Sequence, residues 1–292
     1  MSQEVELKLA LPPQNNETPT DIAWLENTES RHQRLGNTYY DTPDGALERA
    51  RVALRIRRTD AGHVQTLKTA GDANSGLTVR GEWEWPIEGD DLDRSGLAAL
   101  PPFRTLGASV LDALTPRFTT DFERTTWQLE HDGSRIEMAW DKGEIQTGDR
   151  HLPIHEIELE LKSGDPGALW EVADRLARTV TLRPAAASKA ARGASLLAGA
   201  WSLPTCLDTP SDKFAFTIAA LDAARDSGQT GFQAQARAIL AELAESETPP
   251  MTPMARQLAA SLAAAMQDIH WWNHETGRTA LSLSRALYET PC

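Results

Sequence analysis

The sequence predicts an α+β protein: an eight-stranded antiparallel β-sheet, closed into a tunnel with a polar interior and outer helices, followed by a small all-α C-terminal domain. Three observations predict it. Up to residue 162, charged and apolar side chains alternate with period two in one stretch after another, which is the period of a β-strand. Turn signals such as Asp60-Ala61-Gly62, Asp132-Gly133 and Thr147-Gly148-Asp149 separate neighbouring stretches, so the strands are joined mostly as hairpins and the sheet is antiparallel. At Leu203-Pro204 the alternation stops, and apolar residues recur at helical spacing instead. The change divides the chain into residues 1–203 and 204–292.

The first strand runs through Glu4-Val5-Glu6-Leu7-Lys8, with Glu4, Glu6 and Lys8 on one face and Val5, Leu7 and Leu9 on the other. After a Pro/Asn-rich turn, Thr20 or Asp21 is placed to cap a short helix over Ile22, Trp24 and Leu25. His32 to Tyr40 reads as a strand, ended by the turn Asp41-Thr42-Pro43-Asp44-Gly45. A hairpin follows, with Arg55 and Arg57 sharing a face of its first strand and Thr66 and Lys68 a face of its second. The stretch from Thr78 to Ile87 sets Arg80, Glu82 and Glu84 against Val79, Trp83 and Trp85. Residues 88–116 read as loop and short helix. Strands over 118–130 and 135–145 come next, the second with Glu137 and Asp141 on the charged face and Trp140 on the apolar one. The sharpest alternation is His155-Glu156-Ile157-Glu158-Leu159-Glu160-Leu161-Lys162. Asp165-Pro166 then opens a helix to about Thr179, and Ser188 caps a second helix carrying Lys189, Arg192, Leu196 and Leu197. In the tail, four helical patterns cover roughly 212–227, 231–246, 253–272 and 275–289.

With 292 residues, 40% of them hydrophobic and 24% charged, the chain has the composition of a globular protein. A net charge of −13 argues against a general nucleic-acid surface, so any anion site is a local concentration of basic side chains. No run of eighteen apolar residues suggests a membrane span, and the acidic, alternating N-terminus does not read as a signal peptide. Cys206 and Cys292 stand far apart with no partner motif, which fits a reducing cytoplasm. The histidines are scattered without ligand spacing and read as surface residues.

Two arrangements satisfy the alternation. In one, the apolar face packs on helices and the charged face is wet. In the other, the sheet closes with its charged face inward. Residue types favour the second. Arginine and glutamate dominate, often as like charges two residues apart, which is unfavourable unless an opposite charge is bound. Arg55 beside Arg57 calls for a multidentate anion. Glu4 with Glu6, and Glu156, Glu158 and Glu160 together, call for a hard divalent cation. A phosphate chain with Mg²⁺ or Mn²⁺ supplies both. For Glu82 and Glu84, pairing with the arginines and metal binding are about equally favoured, and Glu137 reads as orienting basic groups. Glu156 ranks last of its trio because it lies nearest the start of its strand.

Taken together and in this order, the Glu-x-Glu-x-Lys strand, Tyr40-Asp41-Thr42-Pro43 before Ala53-Leu54-Arg55-Ile56-Arg57, Thr66-Leu67-Lys68, Arg80-Gly81-Glu82-Trp83-Glu84, and Glu156 to Lys162 resemble the CYTH superfamily, the triphosphate tunnel metalloenzymes. The resemblance covers about residues 1–200 and is nearest to the bacterial inorganic triphosphatase branch. It implies an eight-stranded tunnel holding a small-molecule triphosphate lengthwise, with hydrolysis of a terminal phosphoanhydride aided by Mg²⁺ or Mn²⁺. It implies that Lys8, Arg55, Arg57, Lys68, Arg80 and Arg124 grip phosphate oxygens. Glu4, Glu6, Glu158 and Glu160 would hold metal or position the attacking water, Asp141 would hold metal, and Lys189 would reach the terminal phosphate from a helix that plugs one end. Thiamine triphosphatase, class IV adenylate cyclase and a non-catalytic polyphosphate- or nucleotide-binding module are the alternatives on the same fold. Relatives with a C-terminal extension often carry a helical, basic CHAD domain. The tail here is short and acidic, with His270 and His274, and reads as a truncated or degenerate remnant.

Overall fold

The computed structural model describes residues 2–13, 18, 22–26, 28–59, 61–69, 72–74, 77–249, 251–268 and 270–289, without the side chains of 2–4, 72–74, 77–80 and 289. The proposed caps Thr20 and Asp21 lie outside the described residues; Ala23–Leu25 is a single 3₁₀ turn. The strands are β1 (Ser2–Ala10), β2 (Ser30–Asp41), β3 (Val52–Thr59), β4 (Gly62–Thr69), β5 (Asp72–Asn74), β6 (Leu77–Ile87), β7 (Thr115–His131), β8 (Ser134–Thr147), β9 (Arg150–Ser163) and β10 (Arg183–Pro184). Short helices α1 (Ala46–Arg49), α2 (Arg94–Ala99), α3 (Pro101–Leu106) and α4 (Ala108–Asp112) lie between strands. Then come α5 (Gly167–Leu176), α6 (Lys189–Ala198), α7 (Pro210–Ser227), α8 (Thr230–Glu245), α9 (Pro253–Ala265) and α10 (His274–Glu289).

The α+β class is as expected. The sheet is antiparallel, but among the described residues it has ten strands rather than eight, in the order β10-β1-β9-β8-β7-β2-β3-β4-β6-β5. The two extra strands, β5 and β10, span three and two residues, too few for any alternation to show in the sequence. β1 has three partners: β9 through Glu6–Ala10, β6 through Ser2–Leu7, and the short β10 through Leu9 and Ala10.

Helices cover the outer face of this sheet. On the outer face, Leu7, Leu9, Met138, Trp140, Ile157 and Leu159 pack under Leu169, Trp170, Val172 and Leu176 of α5, with Leu281 of α10 in the same cluster. A second outer cluster buries Leu54 and Leu67 under Leu97, Phe103 and Leu111 of α2–α4, with Trp83 and Trp85 against it. Each such buried Leu or Phe contributes on the order of 1.5–3 kcal/mol. The tail helices have a core of their own, drawn from Phe214, Ile218, Leu240, Leu262 and Leu283 among others. The third helix of the tail stops at Ala265, short of the expected 272, and a turn follows.

The inner face changes character along the strands. Arg124, Asp141, Glu156 and Glu158 occupy its middle, whereas Phe122, Ile145, Leu152 and Ile154 make one end of it apolar. Helix α6, capped by Ser188 as expected, drops Leu196 into this apolar end. Close approach is possible because Gly193 presents no side chain: a Cβ there would overlap the Phe118 ring, which is itself stacked on Tyr39 at 4.7 Å. Alanine normally favours a helix over glycine by about 0.5–1 kcal/mol. Here Gly193→Ala is expected to destabilise by about 1–3 kcal/mol through overpacking, measured as a lower urea midpoint. A midpoint at or above that of the wild type would mean that α6 is not seated against Phe118.

Candidate active site

Strand register assembles the site, since cross-strand partners project to the same side of a sheet. Between β1 and β9, Glu6 faces Glu160 and Lys8 faces Glu158. Between β9 and β8, Glu160 faces Glu137 and Glu156 faces Asp141, and Asp141 in turn faces Arg124 of β7. On the opposite wall, Asn37 faces Arg57, Tyr39 faces Arg55, Arg55 faces Thr66, Thr66 faces Glu84 and Lys68 faces Glu82. The two walls line an open cavity of about 1270 Å³, and α6 turns Lys189 into it.

One wall carries a closely interlocked ion cluster. Lys8 donates to Glu158 and lies 3.4 Å from Glu156. The Lys189 ammonium is 2.5 Å from Glu156, 2.6 Å from Asp141 and 3.2 Å from Glu158. Arg124 donates two bonds to Asp141, at 2.7 and 2.6 Å, and one to Glu158 at 2.6 Å. Burial disfavours the charges of Lys8, Lys189, Arg124, Glu156 and Glu158, yet each keeps its charge because the opposite sign is so near. Burial pulls the Lys8 and Lys189 ammonium pKa values down; Glu156 and Glu158 beside both, and Asp141 beside Lys189, outweigh it and leave them raised. Burial likewise pushes the Glu156 carboxyl up, but Lys189 and Lys8 bring it down to about 2, and Glu158 is held well below the usual carboxylate range.

Among the described residues, Arg55 and Arg57 on the facing wall form no ion pair with a carboxylate. Arg57 donates its Nε to Asn37 Oδ1 at 2.9 Å, a neutral acceptor. Burial, with Arg55 and Arg124 close by, pushes the Arg57 guanidinium down to about 9. It remains charged at neutral pH, and an anion entering the cavity would relieve it. Burial raises the Tyr39 hydroxyl, but Arg55 outweighs this and the net shift is downward. Lys68 pairs with Glu82 at 3.2 Å, and Thr66 donates to Glu84 at 3.1 Å. One step along β9, Lys162 bridges Glu160 at 2.7 Å and Glu137 at 3.4 Å.

Of the residues named from sequence, Lys8, Arg124, Asp141, Glu158 and Lys189 therefore meet in one cluster, with Glu6 and Glu160 side by side next to it. Arg55, Arg57 and Lys68 line the other wall. The side chains of Glu4 and Arg80 lie outside the described residues, though register sets the two positions opposite each other. Glu156 needs correction. It is 1% exposed and central, not marginal, because β9 begins at Arg150 and not at His155. Pro153 disguises that earlier start, being unable to donate a ladder bond. His155 also departs from the surface reading: it is 7% exposed, against Trp140 and Pro12 O. Sequence reasoning passed over Asn37 and Tyr39, whose only signal is their period-two spacing before the Asp41 turn.

Asp141, Glu156 and Glu158 each offer a carboxylate oxygen, and these lie within 4.8 Å of one another. An all-oxygen donor set suits a hard divalent cation, so the residues fit one.

A family model for the CYTH domain matches residues 2–194. The chain belongs to the CYTH domain family. Over 195 residues it is 43% identical to a Haemophilus influenzae protein named inorganic triphosphatase; the match covers 66% of this chain and 54% of that one. This CYTH chain thus aligns with about half the length of that relative. A solved structure from Hippeastrum, described as an adenylyl cyclase candidate with a dominant triphosphatase activity, superposes with a TM-score of 0.50 at 22% identity. It covers 69% of this chain and 98% of its own, and shows that the fold is shared.

The ion cluster makes stability acid-sensitive. Glu156 binds its proton near 4.5 when unfolded and near 2 when folded, so its contribution is complete above about 4.5, declines below that and is gone by about 2. In metal-free protein, urea midpoints at about pH 7, 4 and 3 are expected to fall more steeply for the wild type than for Glu156→Gln. Equal slopes would show that the cluster does not hold Glu156 ionised.

Proposed function

We propose that this CYTH protein hydrolyses inorganic triphosphate to pyrophosphate and phosphate with Mg²⁺ or Mn²⁺. The observation that carries the reading is the pairing of opposite chemistries in one cavity: Arg55 and Arg57 on one wall, carboxylate rows on the other. A polyanion with a divalent cation satisfies both. The activity named for the Haemophilus influenzae relative points to the same substrate.

The pairing of β1 with both β9 and β6 supports reading the sheet as wrapped round the cavity in an eight-stranded tunnel, with β5 and β10 as short additions. In that tunnel Lys8, Arg55, Arg57, Lys68, Arg80 and Arg124 grip phosphate oxygens, with the arginine forks suited to bidentate contact. Glu4, Glu6, Asp141, Glu158 and Glu160 supply the carboxylates for metal, joined by Glu156. The bound cation would screen the phosphate charge and polarise the phosphoanhydride. Water attacks the terminal phosphorus in line; the new P–O bond forms as the bridging P–O bond breaks, and pyrophosphate leaves. The proton of the water passes to a carboxylate of the acidic row, a role this reading gives to Glu6. Lys189, Arg57 and Arg124 stabilise the charge on the transferring group. The separate core of the tail supports residues 204–292 as a helical unit of its own, joined to residues 1–203.

Phosphate release from tripolyphosphate, ATP and thiamine triphosphate tests the reading. Tripolyphosphate is expected to be cleaved with Mg²⁺ or Mn²⁺ and not with EDTA. Activity that survives chelation would sink the metal role, and cyclic AMP formed from ATP would replace the reaction. Glu6→Ala and Arg57→Ala are each expected to lower kcat by about 10²-fold or more with the circular dichroism of the wild type. Full activity in both would place the chemistry elsewhere.

A further inference from the structure

The loop between the sheet and α6 delivers Lys189 to the cavity, and it is held by residues of the tail. β10 pairs with β1 through only Pro184 and Arg183, and Ala185 adds one bond from its N–H to Lys8 O at 2.9 Å. The chain then leaves the sheet edge, and the next two amides have no strand to pair with. Both donate to a single oxygen, Asp222 Oδ2 on α7, at 2.9 Å each. The other oxygen of Asp222 lies 2.9 Å from Arg183, whose guanidinium also stacks 4.6 Å over the Trp272 ring.

One helical turn along α7, Asp226 takes Arg192 of α6 by two bonds, at 2.8 and 3.0 Å. Arg192 continues to Pro153 O at 2.6 Å and lies 3.5 Å from Glu156, the same carboxylate that holds Lys189 at 2.5 Å. Arg225 braces Asp226 at 2.7 Å and approaches Asp222 at 3.7 Å. Helix α10 presses on the same segment from the other side: Gly277 lies so close to Leu182 O that a Cβ there would overlap it. Arg183, Asp222 and Arg192 are each no more than 2% exposed. Arg183, Arg192 and Arg225 thus share Asp222 and Asp226, with Glu156 of the cavity cluster at the edge of the set.

Buried ion pairs are weak devices for stability, since apolar residues of similar volume serve as well, and their best-attested use is to fix one arrangement. Two carboxylates at i and i+4 of α7 hold the chain on either side of Lys189. The first fixes the loop before it. The second fixes α6 after it and reaches Glu156 through Arg192. We infer that Asp222 and Asp226 are positioning residues for the cavity, setting Lys189 and Glu156 through Arg183 and Arg192, so that the helical tail is a working part of the site. The inference rests on the triphosphatase reading of that cavity for its kinetic test only.

Asp222→Asn and Asp226→Asn preserve shape while removing the charge. Each is expected to lower kcat for tripolyphosphate about tenfold or more, because small misplacements of a reacting group are costly, with KM changed less than about threefold. In a Lys189→Met background the same changes are expected to cost less than about twofold, since groups acting as a unit are not additive. Independently of activity, hydrogen exchange at the α6 amides of residues 192–198 is expected to quicken about tenfold in both variants. Lys213→Ala, which breaks a surface pair with Glu242, is the control and leaves kcat and exchange unchanged. If one Asn variant fails to fold, the other carries the test, and Arg225→Lys weakens the brace from the α7 side as a third. Wild-type kcat in the variants, losses that multiply with Lys189→Met, or unchanged α6 exchange each overturn the inference. A wild type inactive on tripolyphosphate defeats the triphosphatase reading alone, and the exchange measurement then decides the positioning.

Discussion

Taking a charge out of water is costly unless an opposite charge or a set of hydrogen bonds replaces the solvent, and the whole inner face of this sheet is organised by that requirement. Lys8, Lys189 and Arg124 sit among Asp141, Glu156 and Glu158 with contacts of 2.5–3.4 Å beside the shorter Lys8–Glu158 bond. None of the six would tolerate loss of its partners in that position. Because the partners come from β1, β7, β8, β9 and α6, the electrostatic requirement fixes how these elements lie together. The cluster is therefore a constraint on the fold as well as a chemical feature.

The two walls of the cavity solve the requirement differently, and the difference carries the function. Carboxylates and ammonium groups neutralise each other on one side. On the other, Arg57 has an amide for a partner and Arg55 and Arg124 for neighbours, so its charge is held at a cost. A wall that sets Arg55, Arg57 and Lys68 against Glu82 and Glu84, inside a protein of net charge −13, attracts anions locally while the acidic surface repels them. That combination favours a small anion able to enter a cavity over a long polymer needing an extended basic surface.

Packing on the inner face follows the same logic. Charged residues occupy the middle, and Phe122, Ile145, Leu152 and Ile154 take over where α6 arrives. An apolar end lets a helix dock without stripping further charges of water. It also places the first residue of that helix, Lys189, at the border with the charged zone. The buried arginine–aspartate set beneath α6 extends the constraint into the tail, so that two cores with separate apolar residues share one electrostatic seam.

Most of this was legible in the sequence wherever the signal was local. Period-two alternation in 4–8, 52–58 and 155–162 determined which side chains share a face, because that depends only on strand geometry. Helix caps such as Ser188 were readable for the same reason. Tertiary structure decided what depends on partners distant in the chain. Glu156 gained its central place from a strand that continues through Pro153. His155 went inside against Trp140. Asp222 and Asp226, in a helix where acidic residues usually face water, became the anchors of a loop and of helix α6 more than thirty residues earlier. Burial and charge pairing are properties of what lies across the space between elements, and no spacing along the chain encodes them.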